Sequence, residues 1–389
     1  MVLLAGEMVP SPTRPKEDTM TIAEQPDGVA PVVRVGSICS GYGGLELGIE
    51  LALGSTQVEW VADNDPAAAR ILAERFPSSP NLGDVTTIDW ECVASVDVLC
   101  GGTPCQDLSQ AGCGAGITNT SRSGLWAAMA RAVQALHPTI VVWENVEGAL
   151  YRGAECNGTD RVVGHGQANM EGSPRRPLLR AAGRVVGDLA TLGYDSQWTV
   201  IPASAVGAPH RRNRLFIIAT PTKSDNFPQL ARRIAARGAA QSPLETGSQK
   251  LSQELWRPMR TLPTITTQDI PYTSPGCGPT LTTALCGAGT SPTNPFGVYE
   301  PAIRRWEYFT RPVPHPTEES TRTKRKRINI DFVEWMMGLP HGWVSDPQLH
   351  LSRAQQLRLL GNGVCPQQAG EAIRYLVTQR QQLIERMCQ

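Results

Sequence analysis

Between Val32 and Ala219 short apolar runs alternate with stretches of helical periodicity, and this rhythm predicts the elements of the chain. Val32–Ile38 reads as a strand that runs into a glycine turn, after which Leu45, Ile49 and Leu53 recur at helical spacing. Val58–Ala62 is the next strand, followed by an alanine-rich helix through Phe76. Val96–Cys100 and Thr139–Trp143 are further strands, with Trp126–Leu136 helical between them. Leu178–Leu192 carries an apolar helical stripe, and Ser196–Ile201 and Leu215–Ala219 read as strands. Strands separated by helices predict an α/β fold built on a doubly wound, mostly parallel sheet. The rhythm stops after Thr220, where residues 221–327 are dense in Pro, Thr, Gly and Ser and close on the basic run Lys324-Arg325-Lys326-Arg327. This stretch is expected to form a smaller irregular domain. Order returns at Phe332–Leu339 and in a helical tail over Ser352–Glu385, so that 328–389 rejoins the main domain, 31–220. Residues 1–30 read as a loose leader, with Met20 as an alternative start.

Composition narrows the class. The chain has 389 residues, 41% of them hydrophobic and 19% charged, which supplies a large core and too little charge for a disordered or coiled-coil protein. No run approaches the roughly 20 apolar residues of a membrane span, and Met1–Pro10 lacks the basic start of a signal peptide. Ten cysteines without a single Cys-x-x-Cys pair argue against a disulfide scaffold or a zinc ribbon. A soluble, reduced, cytoplasmic protein without a metal is expected. The formal charge is zero, but its distribution is uneven: −3 over 1–30, −8 over 31–150, +8 over 151–260 and +3 over 261–389. Such a partition suits a positive face toward a polyanion, and ordinary surface variation accounts for it equally well.

Five motifs carry candidate chemistry. Cys39-Ser40-Gly41-Tyr42-Gly43-Gly44 ends the first strand, where glycines let the backbone turn tightly against a ligand at a helix N-terminus. The spacing is not the Gly-x-Gly-x-x-Gly of a dinucleotide site. Asp63 ends the second strand, 22 residues after Gly41, in position for ribose hydroxyls. Asp84 is expected at the next strand end, facing an adenine amine. Together these point to an adenosine cofactor that needs no phosphate site. Gly101-Gly102-Thr103-Pro104-Cys105-Gln106 follows the fourth strand of this reading, at the ligand crevice of an open sheet. Cys105 near backbone N–H groups would gain thiolate character and nucleophilicity; the ordinary fate of a cysteine is burial, which the flanking glycines and Pro104 oppose. In Trp143-Glu144-Asn145-Val146 an apolar strand ends in a carboxylate, a helix cap or an acid/base group whose burial would favour the protonated form. In His210-Arg211-Arg212-Asn213-Arg214 the alternation places Arg212 and Arg214 on one face, able to hold a carboxylate, a base oxygen or a phosphate. Gly361-Asn362-Gly363-Val364 precedes the last helix and by itself reads as a turn.

This ordered set resembles the DNA cytosine-5 methyltransferase family over about 31–220 and 328–380, and Phe332–Pro340 looks like phage and actinobacterial members. The resemblance implies an enzyme in which Cys105 attacks carbon 6 of a flipped cytosine. Glu144 would then bond or protonate the ring nitrogen edge, and Arg212 and Arg214 would hold the base oxygen and orient Glu144 or a nearby phosphate. It implies S-adenosyl-L-methionine over Gly41, Gly43 and Gly44, with Asp63 on the ribose, Asp84 on the adenine, and Asn362 and Val364 closing the pocket. Cys39, Ser40, Asn64, Val85, Gly102, Pro104 and Leu125 fall on the same cofactor side. The irregular domain becomes a target-recognition domain on double-stranded DNA. A restriction endonuclease becomes a candidate partner, and a monomer is expected. Three departures stand out: His210 for the usual Gln, Cys39 for the usual Phe, and no Arg-Glu pair before Met337-Gly338, which leaves interdomain packing open.

Other classes compete. A nicotinamide oxidoreductase shares the fold class, but the glycine spacing is wrong and Cys105 would be idle. An amino-directed DNA methyltransferase needs a Pro-Pro motif, and the chain has no Pro-Pro. A tRNA cytosine methyltransferase shares the core motifs, and the long insertion favours DNA. A non-catalytic DNA-binding relative has no use for Cys105 and Glu144 together.

Overall fold

A computed structural model describes residues 32–103, 124–150, 181–223, 226–232, 296–320 and 323–387. Strand β1 (Val33–Ile38) leads through the glycine turn into α1 (Gly44–Leu53). The turn needs Gly43, whose φ of 85° is left-handed, and the place of a side chain there is filled by the Phe76 ring. Strand β2 (Thr56–Ala62) precedes α2 (Pro66–Arg75), which Asp65 caps by accepting from the N–H groups of Ala67 and Ala68. Next come β3 (Val98–Gly101), α3 (Leu125–Leu136), β4 (Ile140–Val146), α4 (Ala181–Thr191), β5 (Tyr194–Ile201) and β6 (Arg214–Pro221).

These six strands form one sheet in the order β2-β1-β3-β4-β6-β5. The β1–β2, β1–β3 and β3–β4 pairs are parallel, as helix-separated strands require. Strand β6 is antiparallel to both β4 and β5. Its connection from β5 holds a short 3-10 turn at Ala203–Val206 and no crossover helix. Two further expectations are corrected. Residues around Asp84 form a loop that touches β2 by one bridge, Val61 to Asn81, so no strand ends there, and the Cys100 strand is third rather than fourth. Strand β4 runs on to Val146, so Glu144 sits within it, opposite Phe216, and not at its end.

Alternation along the strands sorts the core into two layers. Leu99, Val141, Trp143 and Ile217 face α3 and α4 and pack with Met129, Val133, Val185 and Leu189. Val98, Cys100, Ile140, Val142, Phe216 and Ile218 face the other way and pack with Ile49, Ile373 and Leu376. The last two belong to the C-terminal helix. The expected single tail is two helices, α7 (Arg353–Asn362) and α8 (Pro366–Met387), broken at Gly363–Cys365. The side-chain position of Gly48 lies 2.5 Å from the Ala369 Cβ, so α1 and α8 cross at backbone contact.

A third apolar cluster joins the segments that follow the irregular stretch. Helix α5 (Glu300–Phe309), the β7–β8 hairpin (Thr317–Glu319 and Lys326–Ile328) and α6 (Ile330–Met336) lead into the tail. Phe296, Ile303 and Trp306 pack with Phe332, Trp335 and Trp343, and with Ala67 and Ile71 of α2. The missing Arg-Glu pair is answered here by Glu334. Its buried carboxylate accepts N–H bonds from Gly342, Val344 and Ser345 and faces Arg311 at 3.6 Å. No described helix is long and apolar enough to cross a membrane. Residues 233–295, the bulk of the expected recognition domain, lie outside the described residues, as does the leader.

Candidate active site

The carboxyl ends of β1, β2 and β3 open onto a cavity of about 290 Å³, where an open α/β sheet binds its ligands. Cys39, Ser40, Gly41, Gly44, Asp63, Asn64, Asp84, Val85, Gly102, Leu125, Asn362 and Val364 all line it, as does Glu144. Gly43 is not in the lining, and Pro104 and Cys105 lie outside the described residues. Asp63 shapes the glycine turn by accepting the Gly41 N–H at 2.9 Å and the Asp65 N–H at 2.9 Å. Burial pushes its carboxyl upward, and each oxygen keeps a lone pair for a hydroxyl. Asp84 is held instead by the N–H and hydroxyl of Thr86, which draw its carboxyl downward. The walls thus carry Asp63, Asp65, Asp84 and Glu144 against a single basic residue in that lining, Arg358, which is ion-paired to Asp65 at 2.6 Å. Such a lining accepts a cation and opposes a pyrophosphate.

Glu144 is buried, with Oε1 facing Arg214 Nε at 2.9 Å as an ion pair rather than an aligned hydrogen bond. Burial raises its carboxyl, and Arg214 and then Arg212 oppose that rise. Its neighbours in β4 fix the chain that leads to Cys105. The Trp143 indole donates to Thr103 Oγ1 at 2.8 Å, and the Asn145 amide donates to the Thr103 carbonyl at 2.7 Å.

Arg212 and Arg214 do not alternate along one extended face. Arg212 has φ of 38° and lies before β6 begins, so its side chain turns to the C-terminal segment. It donates to the carbonyls of Gly361 at 2.6 Å and Gly363 at 2.5 Å, while still lying close enough to Glu144 to act on its charge. Tyr42 makes the second clasp: its hydroxyl donates to the Val364 carbonyl at 2.7 Å, and its own carbonyl accepts from the Trp343 indole at 2.7 Å. His210 bonds the Met336 carbonyl through Nε2 at 2.8 Å, and burial drives it down to about 4, so the ring is neutral. Sequence reasoning missed Tyr42, Asp65 and Arg358. Asp65-Pro66 is a helix-start signature, and Arg358 lies one turn before Asn362, so both had a signal. The Tyr42 clasp had none.

A doubly wound sheet with a strand-end cavity roofed by a late glycine loop places the chain in the S-adenosylmethionine-dependent methyltransferase fold class. The profile of the C-5 cytosine-specific DNA methylase family matches residues 33–161 and 169–377, and the chain belongs to that family. Among curated relatives, the Type II methyltransferase M.NlaIV of Neisseria lactamica is 29% identical over 182 residues, 46% of this chain and 39% of that protein. A DNA N-6-adenine-methyltransferase of Escherichia phage P1 is 29% identical over 218 residues, 48% of this chain and 28% of that protein. The chain therefore spans about two fifths or less of these relatives' length. Among solved structures, the S. pombe Dnmt2 methyltransferase covers 90% of this chain and 99% of its own at 13% identity, with a TM-score of 0.48.

Proposed function

We propose that the protein is a DNA cytosine-5 methyltransferase that uses S-adenosyl-L-methionine and a covalent Cys105 adduct. The observation that supports this most is the pairing of Glu144 with Arg214 on the wall of an acid-lined cavity, next to the anchored Thr103 that precedes Cys105. The cavity fits the cofactor by its chemistry: apolar Leu45, Val85 and Leu125 for a purine, and Asp63 for ribose hydroxyls. Its acidic lining suits a sulfonium, and Asn362 and Val364 form the roof. When bound, the cofactor supplies an electrophilic methyl group.

Carbon 5 of cytosine is a weak nucleophile, so the protein must first activate the ring. The Cys105 thiolate forms a bond to carbon 6, and the displaced electron pair makes carbon 5 the end of an enamine. Glu144 holds a proton at the ring nitrogen edge and stabilises the charge that attack builds there. Arg214 keeps that carboxyl in place, and Arg212 ties the same region to the cofactor roof. After methylation a base takes the carbon-5 proton, the electron pair returns to the ring and the Cys105–carbon bond breaks. The base must leave the duplex for this, at a cost of roughly a few kcal/mol.

Residues 221–327 are proposed to read the target sequence on double-stranded DNA. The proposal extends to a monomeric, cytoplasmic enzyme that serves with a cognate restriction endonuclease. DNA carrying 5-fluorocytosine provides the test, because fluorine does not leave as a proton. A covalent complex that withstands denaturation should accumulate with the wild type and be absent for Cys105→Ser; an equal yield from both ends the reading. The phage P1 relative's name raises adenine N6 as a second target. Nucleoside analysis of labelled product, with tRNA as a parallel substrate, separates 5-methylcytosine in DNA from either alternative.

A further inference from the structure

Beneath the glycine turn lies a carboxylate that the proposed chemistry does not use. Glu46 stands in the first turn of α1 and is 2% exposed. One of its oxygens accepts the Ser37 hydroxyl, and Ser37 in turn accepts the Ser40 hydroxyl at 2.8 Å. Its other oxygen is buried without a hydrogen-bond partner. Ser37 and Ser40 both line the cavity, so a short chain of hydroxyls connects the pocket wall to this carboxylate. The groups that face Glu46 are Ser37 of β1, Ser40 of the turn, Asp63 beyond β2 and Cys100 of β3. None of them is basic, and among the described residues no cation is ion-paired with it. A buried carboxylate with an unpartnered oxygen is costly unless something compensates it.

We propose that Glu46 is a positioning residue of the cofactor pocket whose negative charge, coupled to the wall through Ser37 and Ser40, favours the cationic methyl donor over the neutral thioether left after transfer. This inference rests on the cofactor reading above. S-adenosylmethionine carries one net positive charge, with a sulfonium beside its amino acid zwitterion; S-adenosylhomocysteine has lost the sulfonium charge and is neutral overall. An anionic Glu46 distinguishes the two, whereas a protonated Glu46 does not. Burial lifts its carboxyl up to about 7, against the Ser37 bond that lowers it. The charge is therefore set near neutral pH, and the donor's affinity advantage should grow as pH rises through that value.

The test is calorimetric binding of both compounds to the full chain from about pH 6 to about pH 8, for wild type and Glu46→Gln. The amide keeps an acceptor for Ser37 and removes the charge. The amino groups of the ligands titrate identically against both proteins, so the difference between the proteins isolates Glu46. Over this range the wild-type donor-to-thioether affinity ratio should rise about five- to tenfold more than that of Glu46→Gln. A purely structural Glu46 would lower both affinities together and leave the ratio unmoved. Ratios that agree within about twofold at every pH overturn the proposal. Ser37→Ala provides the second variant: it breaks the hydroxyl chain but keeps the charge, and it should reduce the pH dependence of the ratio. If that variant keeps the full wild-type slope, coupling through Ser37 is wrong. If neither compound binds the wild type, it is the cofactor reading that fails.

Discussion

Arg214 opposes what burial does to Glu144, and the balance is open to measurement. Burial favours the protonated carboxyl and the guanidinium favours the carboxylate. A proton-holding Glu144 works in its protonated form, so methyl transfer should fade as pH rises through its pKa. In Arg214→Ala the opposing charge is gone and the pKa moves further up. The alkaline limb of single-turnover transfer should therefore shift to higher pH, while the rate at the optimum drops by roughly a hundredfold from lost orientation. A limb that stays in place would show that Glu144 does not titrate in the reaction. Gly363 offers a stability counterpart. A Cβ there would run into the Tyr42 ring, so Gly363→Ala should displace the clasp and cost about 1–3 kcal/mol in thermal unfolding. The glycine turn and Asp63 were legible in the sequence as local signals, whereas Asn362 reads there only as a turn and was assigned to the cavity through the family resemblance. The direction of Arg212 was not. Its left-handed backbone serves carbonyls at Gly361 and Gly363, far along the chain, and no neighbouring residue announces it.

The β7–β8 hairpin divides the basic run that the sequence presents as one block. Register sets Arg327 opposite Glu318, and the pair closes at 2.8 Å, with Arg353 on the same carboxylate at 2.8 Å. Arg325 and Lys326 stay exposed, and Lys324 reaches Glu319 only at 3.9 Å, at the exposed tip. Neutralising Lys324, Arg325 and Lys326 should flatten the salt dependence of DNA binding by a slope of about 2–3. Arg327→Ala should leave that slope nearly unchanged and lower the melting temperature instead. A titration of binding against salt distinguishes the two variants. The same limit applied to the sheet. Periodicity located all six strands, but the direction of β6 depends on the absence of a crossover helix between it and β5. Apolar alternation has no sign, so strand order and direction emerge only when the faces pack.

Across the whole molecule, the C-terminal helix is part of the core rather than an appendage. Ile373, Leu376 and Val377 of α8 cover Ile49, Val98 and Ile140. Each buried aliphatic side chain is worth roughly 1.5–3 kcal/mol, against a total stability of about 5–15 kcal/mol. Truncation after Cys365 should therefore leave little soluble folded protein, as judged by soluble yield and circular dichroism. Exchange of 233–295 for the matching stretch of another family member should instead leave the fold intact and move methylation to the donor's site. An active chimera that keeps the original site would remove the recognition role from that stretch.

The cavity draws one wall from residues 37–144 and the other from 358–364, and synthesis delivers these at different times. A ribosome releases the glycine turn, Cys105 and Glu144 early, while Tyr42 still lacks the Val364 carbonyl and Arg212 lacks those of Gly361 and Gly363. The nascent polypeptide then carries the proposed nucleophile and no roof over the cavity. Premature termination between Glu144 and Asn362 thus yields a product that carries the proposed reactive motifs but none of the residues that close the cavity from the C-terminal side.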